Sequence, residues 1–168
     1  MNNEKLISSI EARVASLATV LTEMQLSFAC AESCTGGLLS KCCTDMAGSS
    51  DWFERAYITY SNEAKQQMLG VDAQLIQEHG AVSEAVARAM VAGVIENAPV
   101  QVAASVTGIA GPGGGSPTKP VGTVCFGFFT PVGGFQVETC HFDGDREKVR
   151  LQSVDHVLDN LLQHVGAE

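Results

Sequence analysis

The hydrophobic period of this chain switches repeatedly between the three-to-four step of a helix and short apolar runs of strand length. That switching constrains the fold more than any other feature of the sequence. Leu6, Ile7, Ile10, Val14, Leu17, Leu21 and Met24 recur at helical spacing and predict an amphipathic helix over 3–24. The apolar run 26–31 predicts a buried strand. A turn at Glu32-Ser33-Cys34 follows, leading to a helix that starts near Thr35, carries Leu38, Leu39, Cys42, Cys43 and Met46 as its stripe, and breaks at Gly48-Ser49-Ser50. Residues 52–60 read as a strand and 61–69 as a helix capped by Ser61 or Asn62. Ser83 caps a helix over 84–97 that ends before Pro99. Residues 100–107 are strand-like. Two further strands, 121–129 and 135–142, flank a hairpin turn over 130–134, and the last helix, 145–164, is striped by Leu151, Val154, Leu158, Leu161 and Val165. Helices alternating with strands, then a hairpin and a helix, predict an α/β chain. The expected architecture is a three-layer α/β/α domain with a mixed β-sheet and a C-terminal β-hairpin plus helix, one domain over 1–168.

Charge narrows the function. Ten Lys and Arg against 19 Asp and Glu give a net charge of −9. Such a surface repels nucleic acid and anionic lipid, so neither is expected as a partner. No apolar run approaches the ~18–20 residues of a membrane span. The first segment, with Glu4 and Glu11 and no continuous apolar core, does not read as a signal peptide. The six cysteines show no disulfide-framework spacing, which points to reduced thiols and a cytoplasmic location. With no C-x-x-C pair and no H-E-x-x-H, a metal site is not expected.

Four segments could carry chemistry. Ser33 lies between a strand end and a helix start, where the mouth of a sheet holds ligands, and Thr35, Gly36 and Gly37 follow it with helix-start N–H groups. Ser33 is either a nucleophile or, like Thr35, a helix cap; Cys34 is the other nucleophile candidate. Lys65, one of five lysines, falls in the first turns of a helix, where the macrodipole and burial lower the pKa of an amine. It can serve as a general base to a serine, with Tyr60 nearby, or it can be an exposed lysine paired with Glu63. The loop 108–120 has five Gly and three Pro between two strands. It is an anion nest or a plain surface loop, and it lacks both the Walker and the dinucleotide fingerprints. Arg146 and Arg150, four apart at a helix start, either bind an anion or are offset by Asp143 and Asp145.

Taken together, AESCTGGLLS (31–40), GSS..F..A.ITYSNEAKQQMLGV (48–71), GAVSEAVARAM (80–90), SVTGIAGPGGGSPTKPVGTV (105–124) and FDGDREKVR (142–150) resemble the C-terminal domain family of the competence/damage-inducible protein CinA. The likeness runs over nearly the whole chain. It implies hydrolysis of the carboxamide of nicotinamide mononucleotide to nicotinate mononucleotide and ammonia, in pyridine nucleotide recycling, with no metal and no organic cofactor. It implies Ser33, Lys65 and Tyr60 as catalytic residues. The substrate-binding set is expected to comprise Thr35, Gly36, Gly37, Asn62, Thr107, Gly108, Gly113, Gly114, Arg146 and Arg150. The partner is then a small-molecule nucleotide, and a homo-oligomer is expected. The reading of a different class is a non-catalytic nucleotide-binding accessory or sensor protein. A third keeps the amidase with Cys34 as nucleophile.

Overall fold

A strand buried on both faces needs a layer on each side, and β1, Phe28–Glu32, is buried at all five positions. The computed structural model, which describes residues 1–166, supplies those layers. Five strands, β1, β2 (Phe53–Ile58), β3 (Val102–Gly108), β4 (Thr123–Thr130) and β5 (Gly134–His141), form one sheet in the order β2-β1-β3-β4-β5. β2, β1 and β3 are parallel, whereas β3–β4 and β4–β5 are antiparallel, so the sheet is mixed.

Successive side chains of a strand point to opposite faces, and the two clusters of the core follow that alternation. Phe28, Cys30, Val102, Ala104, Val124 and Phe126 meet α1 (Asn3–Glu23), α6 (Arg146–Val165) and the short α2 (Leu38–Thr44). Ala29, Ala31 and Ala103 meet α5 (Glu84–Asn97), with α3 (Asn62–Leu69) and α4 (Ala73–His79) alongside. The second face is lined by small residues because α5 lies close to it. A Cβ at Gly127 would sit 2.5 Å from Ala87 O, and Ser105 Oγ donates to that same carbonyl at 2.6 Å.

The three-layer architecture, the hairpin and the final helix match the sequence expectation. Two local departures have clear causes. The helix expected from Thr35 starts at Leu38, because Gly36 and Gly37 adopt φ +53° and +100° and turn the chain first. The seven-residue α4 has no counterpart in the sequence reading; only Ile76 is buried in it, which leaves no stripe to detect. Among the described residues, no helix is long and apolar enough to cross a membrane.

The topology also creates a crevice. From β1 the chain crosses to β2 through α2, on the α1/α6 face. From β2 it passes over β1 to β3 through α3, α4 and α5 on the opposite face. The crossovers that leave toward either side of β1 therefore lie on opposite faces, which opens a gap beyond its C-terminal end, the usual ligand position in such sheets.

Candidate active site

Ser33 is the first residue past β1, and its N–H still donates to Val106 O at 2.9 Å, holding it at the strand edge. The turn that presents it is fixed from two sides. Glu32, fully buried, accepts from Leu39 N at 2.8 Å and Ser40 N at 3.1 Å. Arg150 donates through Nε to Cys34 O at 3.1 Å and through its terminal nitrogen to Thr35 O at 3.0 Å.

Lys65 reaches Ser33 from the neighbouring element. Ser61 caps α3 by accepting from Ala64 N at 3.0 Å, and Lys65 follows in the first turn on the buried face. Helical side chains lean toward the N-terminus, so the Lys65 stem runs back to the strand-to-helix junction. Its Nζ lies 3.0 Å from Ser33 Oγ, 3.0 Å from Thr59 O and 3.3 Å from Tyr60 O. The side chain is 1% exposed and has no carboxylate partner among the described residues. Burial lowers its pKa below the ordinary lysine value. A neutral amine fits these contacts atom by atom: two N–H bonds to the two carbonyls and one lone pair toward the serine hydroxyl.

The pair opens into a cavity of about 260 Å³, lined also by Cys34, Tyr60, Asn62, Ala81, Val82, Thr107, Gly108, Ala110 and Arg146. Thr107, buried at the end of β3, donates its hydroxyl to Ala81 O at 2.9 Å, which leaves its oxygen as an acceptor. Tyr60 is 62% exposed, with its phenol 3.4 Å from the Arg146 guanidinium. Arg146 also donates to Gly111 O at 2.8 Å. The Tyr60 phenol makes no hydrogen bond to Ser33 or Lys65; the carbonyl of that residue does. The side chain suits positioning at the mouth rather than a proton relay.

Of the residues singled out from sequence, Ser33, Tyr60, Asn62, Lys65, Thr107, Gly108 and Arg146 come together around this cavity. Thr35, Gly36, Gly37, Gly113, Gly114 and Arg150 do not line it. Arg150 is occupied with the carbonyls of the Ser33 turn, and Lys119 with His79 O at 2.7 Å. The α2 donors expected to be free are taken by Glu32, a residue whose role the sequence did not signal; in this turn the N–H groups of Cys34 and Thr35 are left without a protein acceptor among the described residues. The Cys34 thiol, 5% exposed, is pushed up to about 12 by burial, so it is protonated at neutral pH and a poor nucleophile.

Comparison with known proteins shows the family and the fold. Residues 10–165 match the family model of the CinA C-terminal domain. The nicotinamide-nucleotide amidohydrolase PncC of Enterobacter agglomerans is 53% identical over 134 residues, 80% of this chain and 82% of that protein. A CinA-like protein of Syntrophobacter fumaroxidans is 54% identical over 138 residues, which cover 82% of this chain but 32% of that longer protein. The crystal structure of the competence/damage inducible protein CihA from Agrobacterium tumefaciens superposes with a TM-score of 0.89 at 38% identity, over 92% of this chain and 94% of that one.

Proposed function

This chain belongs to the CinA C-terminal domain family, and from that premise we propose that it hydrolyses the carboxamide of nicotinamide mononucleotide, releasing ammonia and nicotinate mononucleotide. The observation that carries the reading is the buried Lys65 amine, unpaired with any carboxylate among the described residues, 3.0 Å from Ser33 Oγ in the crevice beyond β1. The amidohydrolase name of a 53% identical relative supports it.

The chemistry follows from the contacts. Neutral Lys65 takes the Ser33 proton as Oγ attacks the amide carbon. The two carbonyls that hold Nζ also stabilise the ammonium that forms. The N–H of Cys34, directly after the nucleophile, and that of Thr35 supply donors for the oxyanion. Thr107 cannot donate there, since its proton is engaged with Ala81 O, but its oxygen can accept from the amide –NH2. As the C–N bond breaks, Lys65 returns the proton to the leaving nitrogen. Water then attacks the acyl ester, Lys65 takes a proton from it, and Ser33 leaves as the alcohol. Arg146 is the proposed holder of the substrate phosphate, a reading supported by its position beside Tyr60 at the cavity mouth. The six cysteines are free thiols, which suits a cytoplasmic nucleotide-recycling enzyme.

The test is ammonia release from nicotinamide mononucleotide by the purified protein and by folded Ser33→Ala and Cys34→Ala variants. Turnover in wild type and Cys34→Ala with none in Ser33→Ala is expected. No turnover in the wild type would leave a binding or sensor protein. A dead, folded Cys34→Ala variant would return the thiol as nucleophile.

A further inference from the structure

The sheet edge opposite β2 carries a second cluster of reactive side chains. Glu138 and Cys140 stand two apart on β5 and so share one strand face. His156 and Asn160 stand four apart on α6 and so share one helix face. His156 Nε2 is 2.7 Å from Glu138 Oε1 and 3.6 Å from Cys140 Sγ, and one donor atom from each of the three lies within 4.8 Å of the others. Phe126 and Phe142 flank the imidazole, with centroids 4.7 Å and 6.0 Å away. Asn160 Nδ2 donates to Glu138 Oε1 at 3.1 Å.

We propose that Glu138, Cys140 and His156 form a binding site for a divalent transition-metal ion of the zinc class. A simple carboxylate–imidazole pair explains one contact. It does not explain the thiol beside it, 3.6 Å from the same imidazole nitrogen. One sulfur, one imidazole nitrogen and one carboxylate oxygen are the mixed donor set of Zn²⁺ or Co²⁺, not of Mg²⁺ or Ca²⁺. In a tetrahedral site with metal–ligand bonds of about 2.0–2.3 Å, neighbouring donor atoms stand roughly 3.3–3.6 Å apart. The Cys140–His156 separation of 3.6 Å already meets this. The Glu138–His156 contact of 2.7 Å must open by less than an ångström, and the Glu138–Cys140 edge lies within 4.8 Å, so side-chain adjustment alone closes the set. The fourth position is left to a water, and Asn160, through its Nδ2 bond to Glu138 Oε1, orients the carboxylate ligand. Local sequence spacing could not show this site, because strand and helix contribute its donors from far apart in the chain.

The site is separate from the serine–lysine pair. Glu138 is level with Phe126, Phe126 with Val106 and Val106 with Glu32, which is three strand spacings, about 14 Å. An ion there would clamp α6 to the edge strand and take no part in acyl transfer.

The experiment is titration of the metal-stripped, reduced full chain with Co²⁺, followed by competition with Zn²⁺ and by thermal melting. One equivalent should give a sulfur-to-cobalt charge-transfer band, Zn²⁺ should displace it, and Zn²⁺ should raise the melting temperature. Cys140→Ser should abolish the band. Cys140→Ser and His156→Gln should each weaken Zn²⁺ binding by at least roughly tenfold. Cys42→Ser, a change in the other half-buried thiol, on α2, should do neither. Absence of stoichiometric binding, or binding unaltered in His156→Gln and in Cys140→Ser, would overturn the site. Neither result bears on amide hydrolysis, which is assayed with the metal-free protein.

Discussion

Replacing Lys65 by methionine isolates the group on which the proposed chemistry rests. Methionine keeps the length and the apolar stem, and removes the amine that contacts Ser33 Oγ, Thr59 O and Tyr60 O. No histidine or carboxylate hydrogen-bonds Ser33 among the described residues, so nothing replaces the lost base. A positioned general base contributes about 10²–10⁴-fold. With no substitute base, a loss of at least ~10³ in kcat/KM is expected, roughly 4 kcal/mol of transition-state stabilisation. Stability should change far less. The variant removes a desolvated amine but leaves two carbonyls short of a donor, each worth about 1 kcal/mol or slightly more. The two effects oppose, and a net change within ~2 kcal/mol is expected.

The pH dependence gives the same hypothesis a second readout. Burial lowers the Lys65 pKa, so the folded protein holds the amine neutral at pH values where the unfolded chain, near 10.5, still binds a proton. In the window between the folded and unfolded values the unfolded state carries more protons, so the Lys65 contribution to stability rises with pH. It is lost as pH falls through the folded pKa. The same deprotonation should appear in wild type as a rise in kcat/KM with pH, its midpoint below 10.5. Lys65→Arg keeps the charge, cannot deprotonate, and should be as inactive as the methionine variant. Ammonia release across a pH series, with thermal melts on the same samples, checks both. A methionine variant within tenfold of wild type, or one that keeps the ascending limb, would refute the assignment.

Arg146→Ala should lower kcat/KM for the nucleotide about 10- to 150-fold, the loss of a charge-assisted contact worth roughly 1.5–3 kcal/mol, while barely changing that for the nucleoside. Equal losses for both substrates, measured side by side, would place Arg146 away from the phosphate. Glu32→Ala strands two buried N–H donors of α2 and should cost about 3 kcal/mol or more, seen as a fall in melting temperature of at least roughly 6 °C. An unchanged melt would show that α2 does not depend on this carboxylate.

Local signals were legible where one element carries them. Ser83 before a strong helical stripe located α5, and Ser61 located α3; both accept the expected capping bond from the N–H three residues on. The sequence could not tell which of several polar groups face one another, because that depends on which face each crossover takes. Lys65 and Glu63 stand two apart in the same helical turn, yet one is buried against Ser33 and the other exposed. Glu32 carries the inverse lesson. A carboxylate at the end of an apolar strand reads as the start of a turn, whereas the folded chain buries it and spends both its oxygens on the next helix.

The scarcity of positive charge turns out to be more decisive in three dimensions than in one. In the sequence Lys119 stands in the glycine loop and Arg146 and Arg150 at the start of the last helix, where the two arginines either bind an anion or are offset by neighbouring acids. In the structure their donors are already distributed. Lys119 holds the end of α4 through His79 O, and Arg150 braces the turn that presents the nucleophile. Asp145 is itself engaged as the N-cap of α6, accepting from Lys148 N at 2.9 Å, so it offsets the helix dipole rather than neutralising Arg146. Arg146, exposed at the mouth and bonded there to a carbonyl and a phenol, is the remaining cation on the cavity wall besides the buried amine. The two charges that face the cavity therefore have separable duties set by burial. The desolvated Lys65 is driven toward neutrality, where it can take a proton. The solvated Arg146 presents its guanidinium at the mouth, where it can hold an anion.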